Sequence, residues 1–189
     1  MSAFKRNLVA ATTALVGTAL VCALSGPAAS AEPVPDRPAA AHAASVGRLS
    51  LRLASDPGQV ANVRGGGSEN GTPVVQWPWT GGKNERWEAT AVADGYYRLA
   101  SRESGKCLNV RGGGRENGAP VIQYTCDSGA NEQWRFVPKG IGYQVVVRSS
   151  GKCLNVEGGV GKGNALIQYS CSAHGTANDV WLPVWEPVS

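Results

Sequence analysis

The chain has 189 residues, 42% of them hydrophobic and 17% charged, with 25 Gly, 11 Pro, 6 Trp and 2 His. A charged share below the ~25% usual for soluble domains excludes charge-driven disorder, and the length suits one domain with something attached rather than two. The formal net charge of +4 falls to +2 once Lys5 and Arg6 are set aside with the leader described next, which makes no case for nucleic acid.

Residues 1–31 open with Lys5 and Arg6, run apolar from Leu8 to Leu24, and end in Ser25-Gly26-Pro27 and Ala29-Ser30-Ala31. This is the pattern of a secretory signal peptide cleaved after Ala31, leaving no membrane attachment. The apolar run has 17 residues, diluted by three Thr and a Gly, and falls short of the ~20 a membrane anchor needs. Cys22 does not mark a lipoprotein, because Val21 before it is too large for small-residue processing, and it leaves with the leader. Residues 32–47, with three Pro and many Ala, read as an extended tether in which His42 is solvated.

Beyond the tether the chain repeats itself. Trp87, Trp134 and Trp181 are each 47 residues apart, preceded by Asn84-Glu85-Arg86, Asn131-Glu132-Gln133 and Asn178-Asp179-Val180. Upstream stand Ala61-Asn62-Val63, Leu108-Asn109-Val110 and Leu154-Asn155-Val156, then Gly-rich turns, then Val74-Val75-Gln76-Trp77, Val121-Ile122-Gln123-Tyr124 and Leu166-Ile167-Gln168-Tyr169. The repeats span about 48–93, 94–139 and 140–189. In the middle copy four strands are expected, over Tyr97–Ser101, Lys106–Val110, Ala119–Cys126 and Gln133–Pro138. The Asn70-Gly71 and Asn117-Gly118 pairs predict turns of positive φ. The glycine triplets Gly65–Gly67 and Gly112–Gly114 lack the Lys-Ser/Thr of a phosphate loop and read as turns. Units this short cannot each bury a core, so three sharing one about a pseudo-threefold axis predict an all-β, twelve-stranded β-trefoil. Propellers usually need at least four blades.

With Cys22 gone, Cys107, Cys126, Cys153 and Cys171 remain, an even number in an exported chain. Of the three possible pairings, only Cys107 with Cys126 and Cys153 with Cys171 respects the repeat. The first copy has Val60 and Trp79 at those places, where an apolar contact is expected instead. The close C-x-x-C spacing of a zinc site is missing, and no metal or cofactor is expected.

The ordered set Gly105-Lys106-Cys107-Leu108-Asn109-Val110, Gln123-Tyr124-Thr125-Cys126 and Asn131-Glu132-Gln133-Trp134 resembles the ricin B-type lectins, also called carbohydrate-binding module family 13. The resemblance covers about residues 48–186 and implies a β-trefoil with up to three shallow pockets for galactose, xylose or related sugars, without catalysis or metal. It places the stacking aromatic at Trp77, Tyr124 and Tyr169, the first polar ligand at Asn62, Asn109 and Asn155, and the second pair at Asn84-Glu85, Asn131-Glu132 and Asn178-Asp179. Two departures stand out: the family's Asp is Asn in every copy, and its Gln is an acid in every copy. Amide and carboxylate have traded places. The expectation is that Glu85, Glu132 and Asp179 supply the charged acceptor while the Asn side chains orient them; the alternative is that these groups only cap turns. Gln76, Gln123 and Gln168 lie one residue off the aromatic, on the opposite strand face, and are not counted as ligands. Trp87, Trp134, Trp181, Trp79 and Trp185 are assigned to packing.

No nucleophile motif accompanies the lone trefoil histidine, His174, so an enzyme is not expected. The reading is a secreted, stand-alone, monomeric protein whose partner is a mono- or polysaccharide, with neither nucleic acid nor membrane as partner. Its rival is a protein-binding trefoil, a protease inhibitor or secreted effector, using the irregular Gly158–Asn164 loop with Lys162.

Overall fold

The computed structural model describes residues 45–187. The expected signal peptide and most of the expected tether, with Cys22 and His42, lie outside the described residues. Twelve strands follow in order: β1 (Ser45–Leu53), β2 (Gln59–Val63), β3 (Val74–Pro78), β4 (Trp87–Ala91), β5 (Tyr97–Ser101), β6 (Cys107–Val110), β7 (Val121–Tyr124), β8 (Gln133–Lys139), β9 (Gly142–Val147), β10 (Cys153–Val156), β11 (Leu166–Tyr169) and β12 (Trp181–Trp185). β1 begins at Ser45, so the last three residues expected in the tether are strand instead, paired from Ser45 to Thr90 of β4.

Six strands close a barrel in the antiparallel order β1, β4, β5, β8, β9, β12 and back to β1. The other six form three hairpins, β2–β3, β6–β7 and β10–β11. Single bridges link the hairpins in a ring: Pro73 to Ile122, Pro120 to Ile167, and Ala165 to Val75. This is the β-trefoil expected from the repeat. Closure removes the unpaired edges that an open sheet would expose.

The core follows from alternation. Leu49, Leu51 and Leu53 of β1 point inward, and Leu99, Val145 and Val147 do the same in the later repeats, converging with Leu108, Leu154 and Leu166. Trp87, Trp134 and Trp181 are fully buried, one from each repeat, and each indole N–H donates to a main-chain carbonyl of its own repeat, those of Ala61, Leu108 and Leu154 at 3.4, 2.8 and 3.0 Å. A buried tryptophan needs that partner, and the repeat supplies it three times.

The expected strand Ala119–Cys126 contracts to β7 because Pro120 has no N–H to give the ladder and Cys126 turns away into a disulfide. Both disulfides form as the repeat dictates, Cys107 to Cys126 and Cys153 to Cys171, with Cα atoms 5.1 and 5.0 Å apart. They place the domain in an oxidising compartment. In the first repeat Val60 is fully buried, and Trp79 lies under two guanidinium groups, with the Arg52 and Arg86 carbons 4.4 and 5.5 Å from its ring centroid.

The three glutamines tie repeat to repeat. Gln123 Nε2 donates to the carbonyls of Gly67 and Glu69 in the first repeat, and Gln168 Nε2 to those of Gly114 and Glu116 in the second, while Ser104 and Ser150 hydroxyls donate to their Oε1 atoms. The first repeat has Pro57 where the others have that serine, and the amide of Gln76 is reversed: its Nε2 donates to Gln59, and its Oε1 accepts the N–H of Gly161. The turns beside these amides carry Gly71, Gly118 and Gly163 at φ of 86°, 87° and 85°, which a side chain would strain.

Candidate saccharide site

The register of each hairpin sorts its residues onto two faces. In β6–β7, Cys107 pairs with Tyr124 and Asn109 with Ile122, so Asn109, Ile122 and Tyr124 share the outer face, while Leu108, Val110, Val121 and Gln123 turn inward. Asn62, Val75 and Trp77 share the equivalent face of β2–β3, and Asn155, Ile167 and Tyr169 that of β10–β11. Tyr124 and Tyr169 are 44% and 46% exposed; Trp77 is half-buried, with the Lys162 ammonium of the third repeat 4.6 Å from its ring centroid. Sequence reasoning missed the apolar wall of Val75, Ile122 and Ile167. Its signal was the two-residue period from wall to aromatic.

Behind each aromatic stands a fixed pair of amides. Asn84, Asn131 and Asn178 spend both Nδ2 hydrogens inward, on the Oδ1 of Asn62, Asn109 and Asn155 at 3.2, 3.0 and 2.9 Å, and on the carbonyls of Val63, Val110 and Val156, each at 3.0 Å. That fixes the amide orientation of the partner. With Oδ1 held, the Nδ2 groups of Asn109 and Asn155 face outward; they donate to no acceptor among the described residues, and neither is a buried orphan. In the first repeat Asn62 Nδ2 also donates to Glu85 Oε1 at 3.0 Å.

The carboxylates are arranged otherwise than the sequence led us to expect. Glu85, Glu132 and Asp179 have no exposed surface. Glu85 accepts the N–H groups of Thr80, Gly81 and Gly82 and the Thr80 hydroxyl, and Glu132 the N–H groups of Asp127 and Ser128. Asp179 accepts the N–H and hydroxyl of both Ser172 and Thr176 and the amide of Gln144. The expected division, carboxylate toward sugar and amide behind it, does not hold: the anion organises the loop, as in the turn-capping alternative, and the amides of Asn109 and Asn155 face outward while that of Asn62 bonds Glu85. The physical reason is that a buried anion is tolerable only with its oxygens saturated, which the loop's main-chain N–H groups do in all three repeats, joined by side-chain hydroxyls and amides at Glu85 and Asp179. For Asp179, burial alone would raise the pKa, but the Ser172 hydroxyl and the other donors from Ser172 and Thr176 outweigh it and hold the carboxyl below its ordinary 3.8.

The first cradle is a cavity of about 380 Å³ lined by Trp77, Val75, Asn62, Asn84, Thr80 and Arg64, with Glu85 at its floor. The third, about 450 Å³, is lined by Tyr169, Ile167, Asn155, Asn178 and the backbone of Gly158 and Gly159. Each combines an aromatic face, an aliphatic wall and convergent amides. That composition suits a sugar ring, whose C–H face prefers an apolar platform and whose hydroxyls need donors and acceptors. Gly158–Asn164, the loop that a protein-binding rival would use, is docked on the first repeat through Gln76: Gly161 N–H meets its side chain, and Gly163 and Asn164 pair with its backbone. Among the described residues no group of His, Cys, Asp or Glu could hold a metal ion.

The family profile described as "Ricin-type beta-trefoil lectin domain-like" matches residues 44–124, 91–169 and 130–187. No curated protein matches the chain. Among solved structures it is similar to the designed three-fold symmetric protein ThreeFoil, at 38% identity and TM-score 0.69 over 73% of this chain and 98% of that one. It is also similar to the exo-beta-1,3-galactanase of Clostridium thermocellum, at 30% identity and TM-score 0.68 over 75% of this chain, which spans 30% of the galactanase. The ricin B-like lectin of Macrolepiota procera, solved with lactose, shares the fold at 14% identity and TM-score 0.63 over 76% of this chain and 98% of the lectin. Three overlapping profile matches across the trefoil, on a scaffold that repeats one amide-and-aromatic cradle, show that the chain belongs to the ricin-type β-trefoil lectin family, a non-catalytic domain that implies carbohydrate binding.

Proposed function

We propose that the chain is an exported, non-catalytic carbohydrate-binding protein holding galactose- or xylose-type units of a polysaccharide in up to three cradles. The observation that carries this reading is the juxtaposition of an outward amide, Asn109 or Asn155, with Tyr124 or Tyr169 on one hairpin face, Asn62 standing equivalently beside Trp77 but bonded to Glu85. The Nδ2 of Asn109 donates to a sugar hydroxyl, the free Oδ1 of Asn131 accepts from one, and Tyr124 stacks on the ring; Glu85, Glu132 and Asp179 act as positioning residues. Identity to a galactanase favours galactose over xylose. The basic, apolar start of the chain and the two disulfides support export, with the signal peptide ending at Ala31.

The test is a glycan array followed by titration with lactose and xylobiose. Binding competed by free galactose, and weakened in Asn109→Ala and Tyr124→Ala, is the expected result. Retention by no neutral glycan overturns the reading.

A further inference from the structure

Away from the three cradles, the seam where β1 meets β12 carries a cleft of about 520 Å³ lined by Arg48, Arg52, Arg86, Arg102, Trp79 and Trp185, with Glu186 at its end. Trp185 is 44% exposed, against the packing role expected from the sequence, and its ring lies over Gly47, where an added Cβ would stand 3.6 Å away. Two carboxylates answer four guanidinium groups: Arg86 Nε is 2.9 Å from Glu186 and Arg48 Nε 3.5 Å from Glu88. Arg52 and Arg102 have no carboxylate within ion-pair distance among the described residues.

The fold does not require this cluster. Trp79 stands where the other repeats have Cys126 and Cys171, and Arg86 where they have Gln133 and Val180. Arg148, the third-repeat counterpart of Arg102, is neutralised by Asp94 at 2.6 Å. The cleft therefore gathers two guanidinium groups that no carboxylate answers among the described residues, on a chain whose formal net charge is only +4.

We propose that this cleft is a fourth saccharide site, distinct from the three cradles, which takes an anionic polysaccharide. Guanidinium groups pair bidentately with carboxylate or sulfate, the exposed Trp185 indole stacks on an adjoining sugar ring, and Trp79 holds the Arg52 and Arg86 guanidinium groups over its own ring. A linear acidic glycan fits better than nucleic acid, because a chain whose formal net charge is only +4 lacks the strongly basic balance with which proteins follow a phosphate backbone.

The test is titration calorimetry of the trefoil-containing chain with polygalacturonate and with a sulfated galactan, the two arms separating carboxylate from sulfate as the charge read. Wild type binds at least one of them, with affinity falling as salt rises. Arg52→Gln and Arg102→Gln each weaken that binding about fivefold, the size of an exposed charge pair, and leave lactose binding unchanged. Arg102→Gln also leaves the melting temperature unchanged, whereas Arg52→Gln lowers it slightly by removing the stack on Trp79 and the bonds to Ser50 and Pro57. Asn109→Ala does the reverse, so loss of the cradles and loss of the cleft are separately visible. The proposal is overturned if neither polymer binds, if Arg52→Gln/Arg102→Gln binds both as wild type does, or if single-stranded DNA or anionic vesicles bind more tightly at equal salt.

Discussion

The exchange of Asn for Asp and acid for Gln has a definite consequence in the first repeat, where Asn62 Nδ2 donates directly to Glu85 Oε1 at 3.0 Å. Asn62→Asp would set two carboxylates against each other with no water between them, so destabilisation of about 1–3 kcal/mol is expected in chemical denaturation. Adding Glu85→Gln restores one charge and one amide, and the double variant should recover most of the loss; equal melting of single and double variants would refute the coupling. Glu132→Ala orphans the N–H groups of Asp127 and Ser128 and should cost roughly 2–3 kcal/mol, losing saccharide binding through the loop rather than through contact. Tyr124→Ala, at an exposed position, should weaken sugar binding up to about tenfold, the size of an aromatic contact, at unchanged stability. Asp179 gives a pH signature. Its folded pKa lies below its unfolded value, so its stabilisation is present above the unfolded value near 3.8 and is lost as pH falls through the folded one. Acid unfolding of Asp179→Asn should be correspondingly less steep there. The sequence offered the loop-capping role of these acids only as the alternative to sugar contact, because it shows that an acid follows an Asn but not that a loop's N–H groups converge on it.

At the scale of the element, most of the hairpin was legible, because strand period is a property of residue order. The opposite-face placement of Gln123 from Tyr124 followed from a one-residue offset, and the structure bears it out with Gln123 fully buried and bonded to the preceding repeat. The disulfide pairing followed from positional equivalence for the same reason. Each bridge closes a loop with sequence separation of 19 or 18 residues. Cys107→Ala/Cys126→Ala should therefore lower stability by about 3 kcal/mol in the chain-entropy picture, visible as a fall in melting temperature that reductant produces in wild type but not further in the variant at that bridge. Trp185 was misplaced because tryptophan composition argues for burial in general, while its exposure depends on where β12 ends against β1.

Over the whole molecule, the 47-residue recurrence of Trp was enough to specify a shared core, since equivalent residues about one axis must meet there. Function is less evenly distributed than the fold. The cradle of the first repeat carries Arg64 at its wall and Lys162 of the third against Trp77, whereas that of the third presents Tyr169 with no cation against it among the described residues. If cradles on one rigid body engage one polymer together, binding to a galactan should exceed binding to lactose by far more than the site count, and inactivating two of three amides should abolish the excess while sparing the remaining monosaccharide site.

The joints between repeats are not alike. Asn70 and Asn117 each receive an N–H and a hydroxyl from the next repeat, from Thr125 and Ser170, but the third joint sets Lys162 beside Trp77 and Pro78, and proline has no N–H to give. Repeat order is thereby written into the molecule. A synthetic concatemer of the middle repeat would renew the Asn-to-Thr clasp at every junction and ought to close on itself. A concatemer of the first would meet proline at each junction and leave its asparagines empty-handed, so the three copies are non-interchangeable parts.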